Sequence, residues 1–315
     1  MSSVAQSRKW ANFNAKNSGI PSNQVYSVLI DHKGDPWVVT LDSGFAVFKS
    51  NKWTKYNTKN SILPNNGIYT IVEDRKGSKW LGTFGGGVLK ISGDKWEVYN
   101  TKNSGLPENF IYSIAIDRQE NVYIGTSSEG LARLRLGKWK VFNMKNSGLP
   151  NPKIPSLLAD HNGTKWLGTS AGLAIYKNNN IMPAGDSLLP ISGIYSLVED
   201  KKNNIYVGYK YAGLAVFNGK GWKYYCQNNS GLPGDNIRSV AVDSHNNIWI
   251  GTMGDGLVEF DGKSWKVYNS HNSELPDNNI FHVTVDKYNN KWLGTLAHGL
   301  VIFNESGIKN AGPVK

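Results

Sequence analysis

The chain has 315 residues, with 35 Lys and Arg against 24 Asp and Glu, a formal net charge of +11. A single cysteine, Cys226, excludes a framework of internal disulfides, and no apolar run approaches the length of a membrane-spanning helix. The basic residues form no dense cluster and accompany no groove-reading element, which argues against specific nucleic-acid binding.

The opening MSSVAQSRKW lacks the apolar stretch of a signal peptide. A cytoplasmic chain is one expectation from this, and an exported chain whose signal has been removed is the other. RKWANFN (8–14) then reads as a lone strand. After NSGIP (17–21) come VYSVLID (25–31), a turn at HKGDP (32–36), WVVT (37–40), GFAVF (44–48) and KWTKY (52–56). β-branched and aromatic residues separated by Gly, Asp and Asn turns predict four short strands.

The same cycle then repeats. Its loop phrase begins at Asn17, Asn60, Asn103, Asn146, Asp186, Asn229 and Asn272, in steps of 43 residues with one of 40. Each unit places an Asp six residues before an aromatic, as in Asp74 and Trp80 or Asp117 and Tyr123. No segment carries a helical period. Seven four-stranded units of this length predict an all-β, seven-bladed β-propeller of antiparallel blades, one domain over 1–315. The last unit stops after GLVIF (299–303) without an outer strand, and residues 8–14 supply one, so the N-terminal strand is expected to complete the last blade and close the ring. Residues 305–315 read as a polar, frayed tail.

The eleven Trp fill only the second-strand and outer-strand slots of the repeat and are expected to be inter-blade core. The repeat Asp is read as a turn residue. With at most one further carboxylate nearby it has too few oxygens for Ca²⁺, and no metal or other cofactor is expected.

The phrases NSGLPENFIYSI (103–114), GSKWLGT (77–83) and GGGVLKI (85–91) resemble the two-component regulator propeller repeat, over residues 8 to about 304. The resemblance implies a sensing or scaffolding module without catalytic residues of its own. It further implies an oligosaccharide or other small ligand and a periplasmic or extracellular location. A monomer is expected.

Ligand contacts are expected where the repeat is broken on the axial face. The fifth unit breaks most. YKNNNIMPAGDSLLP (176–190) is three residues short, and GYKYAG (208–213) puts Tyr209, Lys210 and Tyr211 where other units have small residues. These three suggest a notch for a sugar or anion, the competing reading being tyrosines that patch a packing gap. Phe84 and His298 are further idiosyncratic loop residues. Tyr26, Tyr69, Tyr112 and Tyr195 share one slot with Pro155, Arg238 and Phe281. Facing the axis they would form an aromatic mouth holding one cation, Arg238; facing between blades they would be core, the preferred expectation, although spacing alone does not decide between them. Lys16, Lys59, Lys102 and Lys145 repeat at one loop position and point to an anionic ligand. A protein-interaction scaffold is an alternative. An enzyme similar to the streptogramin lyases is another, in which only His282 and His298 could serve as a base near the axis.

Overall fold

The computed structural model describes residues 8–185 and 189–314. They form seven four-stranded antiparallel sheets, with strands labelled β1 to β28 in chain order and no helix among them. Blade one is β2 (Val25–Ile30), β3 (Pro36–Thr40), β4 (Phe45–Lys49) and β5 (Lys52–Tyr56), running from the axis outward. The following blades begin at the inner strands β6 (Ile68–Glu73), β10 (Ile111–Ile116), β14 (Ser156–Ala159), β18 (Ile194–Glu199), β22 (Ile237–Val242) and β26 (Ile280–Val285). Asp186, where the fifth loop phrase begins, lies outside the described residues.

The ring closes through β1 (Trp10–Phe13). It pairs with β28 (Leu300–Phe303) in the register Trp10↔Phe303 to Phe13↔Leu300, completing the seventh blade. Trp10 is buried and stacks on Phe303 at 3.9 Å.

Apolar core lies between blades. One cluster joins Val39 and Phe45 of blade one to Leu81 and Leu89 of blade two, and the other seams repeat the pattern. The six-residue spacing from Asp to aromatic has a specific cause. Asp74 Oδ1 accepts the backbone N–H groups of Lys76 and Ser78, while Oδ2 accepts the Trp80 indole N–H at 3.0 Å. Burial pushes this carboxyl up, but those donors outweigh it and hold its pKa below the usual value. The Asp thus closes a turn and anchors a buried Trp at once. Some seams add a buried lysine: Lys79 Nζ sits 3.0 Å from Asp31 of the preceding blade and over the Trp37 ring.

The C-terminal segment is not frayed. Ile308 N–H donates to the Arg8 carbonyl at 2.8 Å, Ala311 is buried, and Ile308 and Val314 pack on the cluster holding Ala11, Val28 and Trp292. Its apolar residues, spaced among polar ones, cover the seam between blades seven and one.

Candidate functional site

Six of the seven inner strands enter the ring with a register break. It falls between Val25 and Ser27, Ile68 and Thr70, Ile111 and Ser113, Ile194 and Ser196, Ile237 and Ser239, and Ile280 and His282. The residue stepped over is Tyr26, Tyr69, Tyr112, Tyr195, Arg238 or Phe281. A β-bulge leaves one residue unpaired and re-aims its side chain. Here it turns these side chains into the axial cavity, which corrects the expectation that they are inter-blade core. Blade four has Pro155 in the slot.

The cavity measures about 380 Å³. Its upper ring is a nearly continuous aromatic surface. Tyr26 meets Tyr69 at 4.8 Å and Phe281 at 5.1 Å, and Tyr69 meets Tyr112 at 4.9 Å. Arg238 reaches across it. The guanidinium lies 4.1 Å from the Tyr195 ring centroid and 5.0 Å from that of Tyr26, whose hydroxyl accepts a hydrogen bond from Nη2. Burial raises the Tyr26 phenol, against the pull of Arg238, so it stays neutral.

Below the aromatics lies a ring of short polar side chains, Ser27, Thr70, Ser113, Ser156, Ser196 and Ser239, with His282 in the seventh place. They latch neighbouring blades. Ser113 Oγ donates to the Ile154 carbonyl at 2.8 Å, and Ser239 Oγ accepts Val283 N–H at 2.9 Å. His282 Nδ1 accepts Val28 N–H at 3.3 Å across the closing seam, and burial lowers its pKa to about 4.

The rim carries the exposed groups. Phe84 is 46% exposed and packs on Tyr69 at 5.5 Å and on Phe110 at 4.9 Å. Lys210 Nζ stands 5.9 Å over Tyr195 and 4.8 Å over Tyr211, itself 66% exposed. Lys153 Nζ stands 4.9 Å over Tyr112.

Of the residues expected from sequence, Arg238 is at the centre of the mouth, and Phe84, Lys210 and Tyr211 are on its rim. Tyr209 is not part of a notch. It replaces a Thr that is fully buried in the other six blades, for example Thr83, whose Oγ1 donates to the Gly87 carbonyl. Tyr209 is likewise fully buried, among Trp166, Ile194 and Leu189, filling space beside the shortened loop. His298 does not line the cavity; its Nδ1 lies 3.2 Å from buried Asp277 at the edge of blade seven. Phe110 and Lys153 escaped the sequence reading. Both occupy the position just before the inner strand, where other units hold Gln24, Gly67, Gly193, Asn236 and Asn279, and that contrast was the available signal. Among the described residues no group of His, Cys, Asp and Glu could hold a metal ion, and no helix is long and apolar enough to cross a membrane.

The sequence model of the two component regulator propeller family matches residues 105–128 and 231–254, in blades three and six. No curated protein matches the sequence. Among solved structures, the extracellular domain of a putative hybrid two component system from B. thetaiotaomicron superposes over 96% of this chain with a TM-score of 0.80 at 20% identity. The chain spans 44% of that domain's length. The virginiamycin B lyase from Staphylococcus aureus superposes with a TM-score of 0.76 at 11% identity, over 93% of this chain and 98% of the enzyme. PorZ, a surface component of the type-IX secretion system of Porphyromonas gingivalis, gives 0.69 at 16% identity, over 96% of this chain and 48% of its own length. At these identities the likeness is one of fold.

Proposed function

We propose that this chain, a seven-bladed propeller carrying the two component regulator propeller repeat, is a non-catalytic recognition module of an extracellular sensor and takes an oligosaccharide in its axial mouth. The observation that carries the reading is the aromatic ring of Tyr26, Tyr69, Tyr112, Tyr195 and Phe281, continued outward by Phe84 and Phe110. Flat apolar faces suit the C–H faces of sugar rings, and the phenol hydroxyls and cations at the rim suit their hydroxyls or acid groups. The extracellular sensor domain with the same fold supports the placement in a sensor.

The lyase alternative finds less support. A His-to-Ala variant of the related-fold lyase is catalytically inactive. Among the described residues no carboxylate lines the axial cavity, and the one imidazole that does, His282, has Nδ1 engaged by Val28 N–H. Acid–base chemistry needs a group poised near the working pH within reach of substrate, and His282 is held far below neutrality.

A glycan array followed by calorimetry tests the reading. A bound oligosaccharide is expected to lose about tenfold in affinity in Phe84→Ala and again in Tyr211→Ala, the scale of one aromatic contact each. Binding that ignores both substitutions and Arg238→Gln, or an array without any hit, removes the axial mouth as a sugar site and leaves a scaffold.

A further inference from the structure

The seam between blades three and four differs in charge from the corresponding clefts between blades one and two and between blades six and seven. A cleft of about 310 Å³ opens there, lined by the turns after Asp117 and Asp160 and by the hairpin at Asn178–Asn179. Those connections lie at the opposite ends of the strands from the axial mouth. The cleft's cations are Arg133, Arg135, Lys165 and Lys177, and its one carboxylate is Asp117. Asp117 is already saturated by Lys165 at 3.1 Å, the Tyr123 hydroxyl, the Asn121 side chain and two backbone N–H groups. The equivalent cleft between blades one and two sets Asp31, Asp35 and Asp94 beside its lysines. Asp243, Glu259 and Glu305 do the same between blades six and seven.

The opening has a sequence cause. The outer strand of blade four, β17 (Asn180–Pro183), puts Ile181 opposite Tyr176, where the other blades put Trp opposite an apolar residue, as Trp139 opposite Leu134. Trp96 lines the cleft between blades one and two, whereas no Trp lines this one. Tyr176 leans into the gap, onto Phe142 at 5.1 Å and Tyr123 at 5.6 Å. Its hydroxyl accepts from Arg133 Nη1 at 2.6 Å and donates to Asn179 Oδ1, which also accepts Nη1 at 2.8 Å. The guanidinium is therefore fixed in orientation. Its Nε is buried with no acceptor among the described residues. Arg133 thus keeps one buried donor unmet, and a buried donor left unmet is costly.

We propose that this cleft binds a tetrahedral oxyanion, the sulfate or phosphate group of an esterified ligand, with Arg133 as the fixed donor and Arg135 and Lys177 closing over it. Both anions present several acceptor oxygens to a guanidinium, and the volume exceeds that of the bare anion, leaving room for part of the ring that carries it. The site is separate from the axial mouth.

Calorimetric titration of the whole chain with sodium sulfate and sodium phosphate, at ionic strength matched with sodium chloride, tests it. Saturable binding of one or both anions is expected. The double variant Arg135→Gln, Lys177→Gln changes only exposed side chains and should weaken it about tenfold or more, the scale of one charge-assisted hydrogen bond. Arg133→Met should abolish it, and Tyr211→Ala at the axial mouth should leave it unchanged. Glucose 6-sulfate and glucose 6-phosphate then tell which ester the cleft prefers. Heats equal to the chloride control, or binding unaltered in the exposed double variant, overturn the proposal.

Discussion

The seventh blade puts an imidazole where the other six put a hydroxyl. In blades three to six the latch is a Ser, as between Ser196 Oγ and Val240 N–H at 2.9 Å. Across the closing seam it is His282 Nδ1, a bond that exists only while the ring nitrogen is unprotonated. The depressed pKa sets the sign. Its folded value of about 4 lies below the ordinary 6.5, so the contribution is complete above 6.5 and is lost as pH falls towards 4. The loss amounts to up to about 3 kcal/mol. His282→Ser restores the latch residue of the other blades. Urea denaturation at pH 7 and pH 4.5 should show the variant losing less stability between the two than the parent chain does. Equal losses would mean that His282 is not the titrating group.

The element that decides closure is β1. Every residue of β28 is buried, and β1 supplies its only outer neighbour. Removing residues 1–14 strips Trp10 from Phe303 and Tyr268 and bares an apolar edge. Burial of a large apolar side chain is worth roughly 1.5–3 kcal/mol, so the loss should be at least about 3 kcal/mol, accompanied by self-association. A truncated chain that keeps its melting temperature and stays monomeric would contradict this role. The strand was legible because the repeat counts one outer strand too few at the end and one too many at the start. The C-terminal segment was not. Ile308 and Val314 have no counterpart in the repeat to compare with, and two apolar side chains in a polar stretch carry no period.

At the scale of the whole molecule the repeat settled the architecture, since seven near-equal units leave few ways to bury their strands. It could not settle direction within a strand. One bulge residue in each of six blades sets the direction, turning Tyr26, Tyr69 and Tyr112 from the seam to the axis, and periodic spacing does not register a bulge. Tyr209 shows the converse: it stands in a departure from the repeat, yet its slot faces inward, in keeping with the packing reading of that tyrosine. The four repeated lysines share one position in the loops before the inner strands. Lys16, Lys59, Lys102 and Lys145 are all exposed in successive rim loops. Charges are screened over about 8 Å at physiological salt, so only an extended anionic ligand lying close to several of them feels their sum. Sulfated or uronic-acid glycans should therefore bind better than neutral ones and weaken as salt rises, and changing all four lysines to Gln should flatten that slope. Binding confined to neutral glycans, or indifferent to salt, would exclude the lysines from recognition.

The antiparallel pairing of β1 and β28 brings the start of one strand beside the end of the other, with Arg8 and Ile308 bonded to each other. Tension on the two ends of the chain would therefore act at one point of the ring. It would peel the first strand away one hydrogen bond at a time, starting at Arg8 and Ile308 and passing next to Trp10 and Phe303, rather than slide the strands past each other under a shared load. Mechanically the closure is a zipper whose tab is tucked under the C-terminal segment, and the other six blades would feel no force until it had opened.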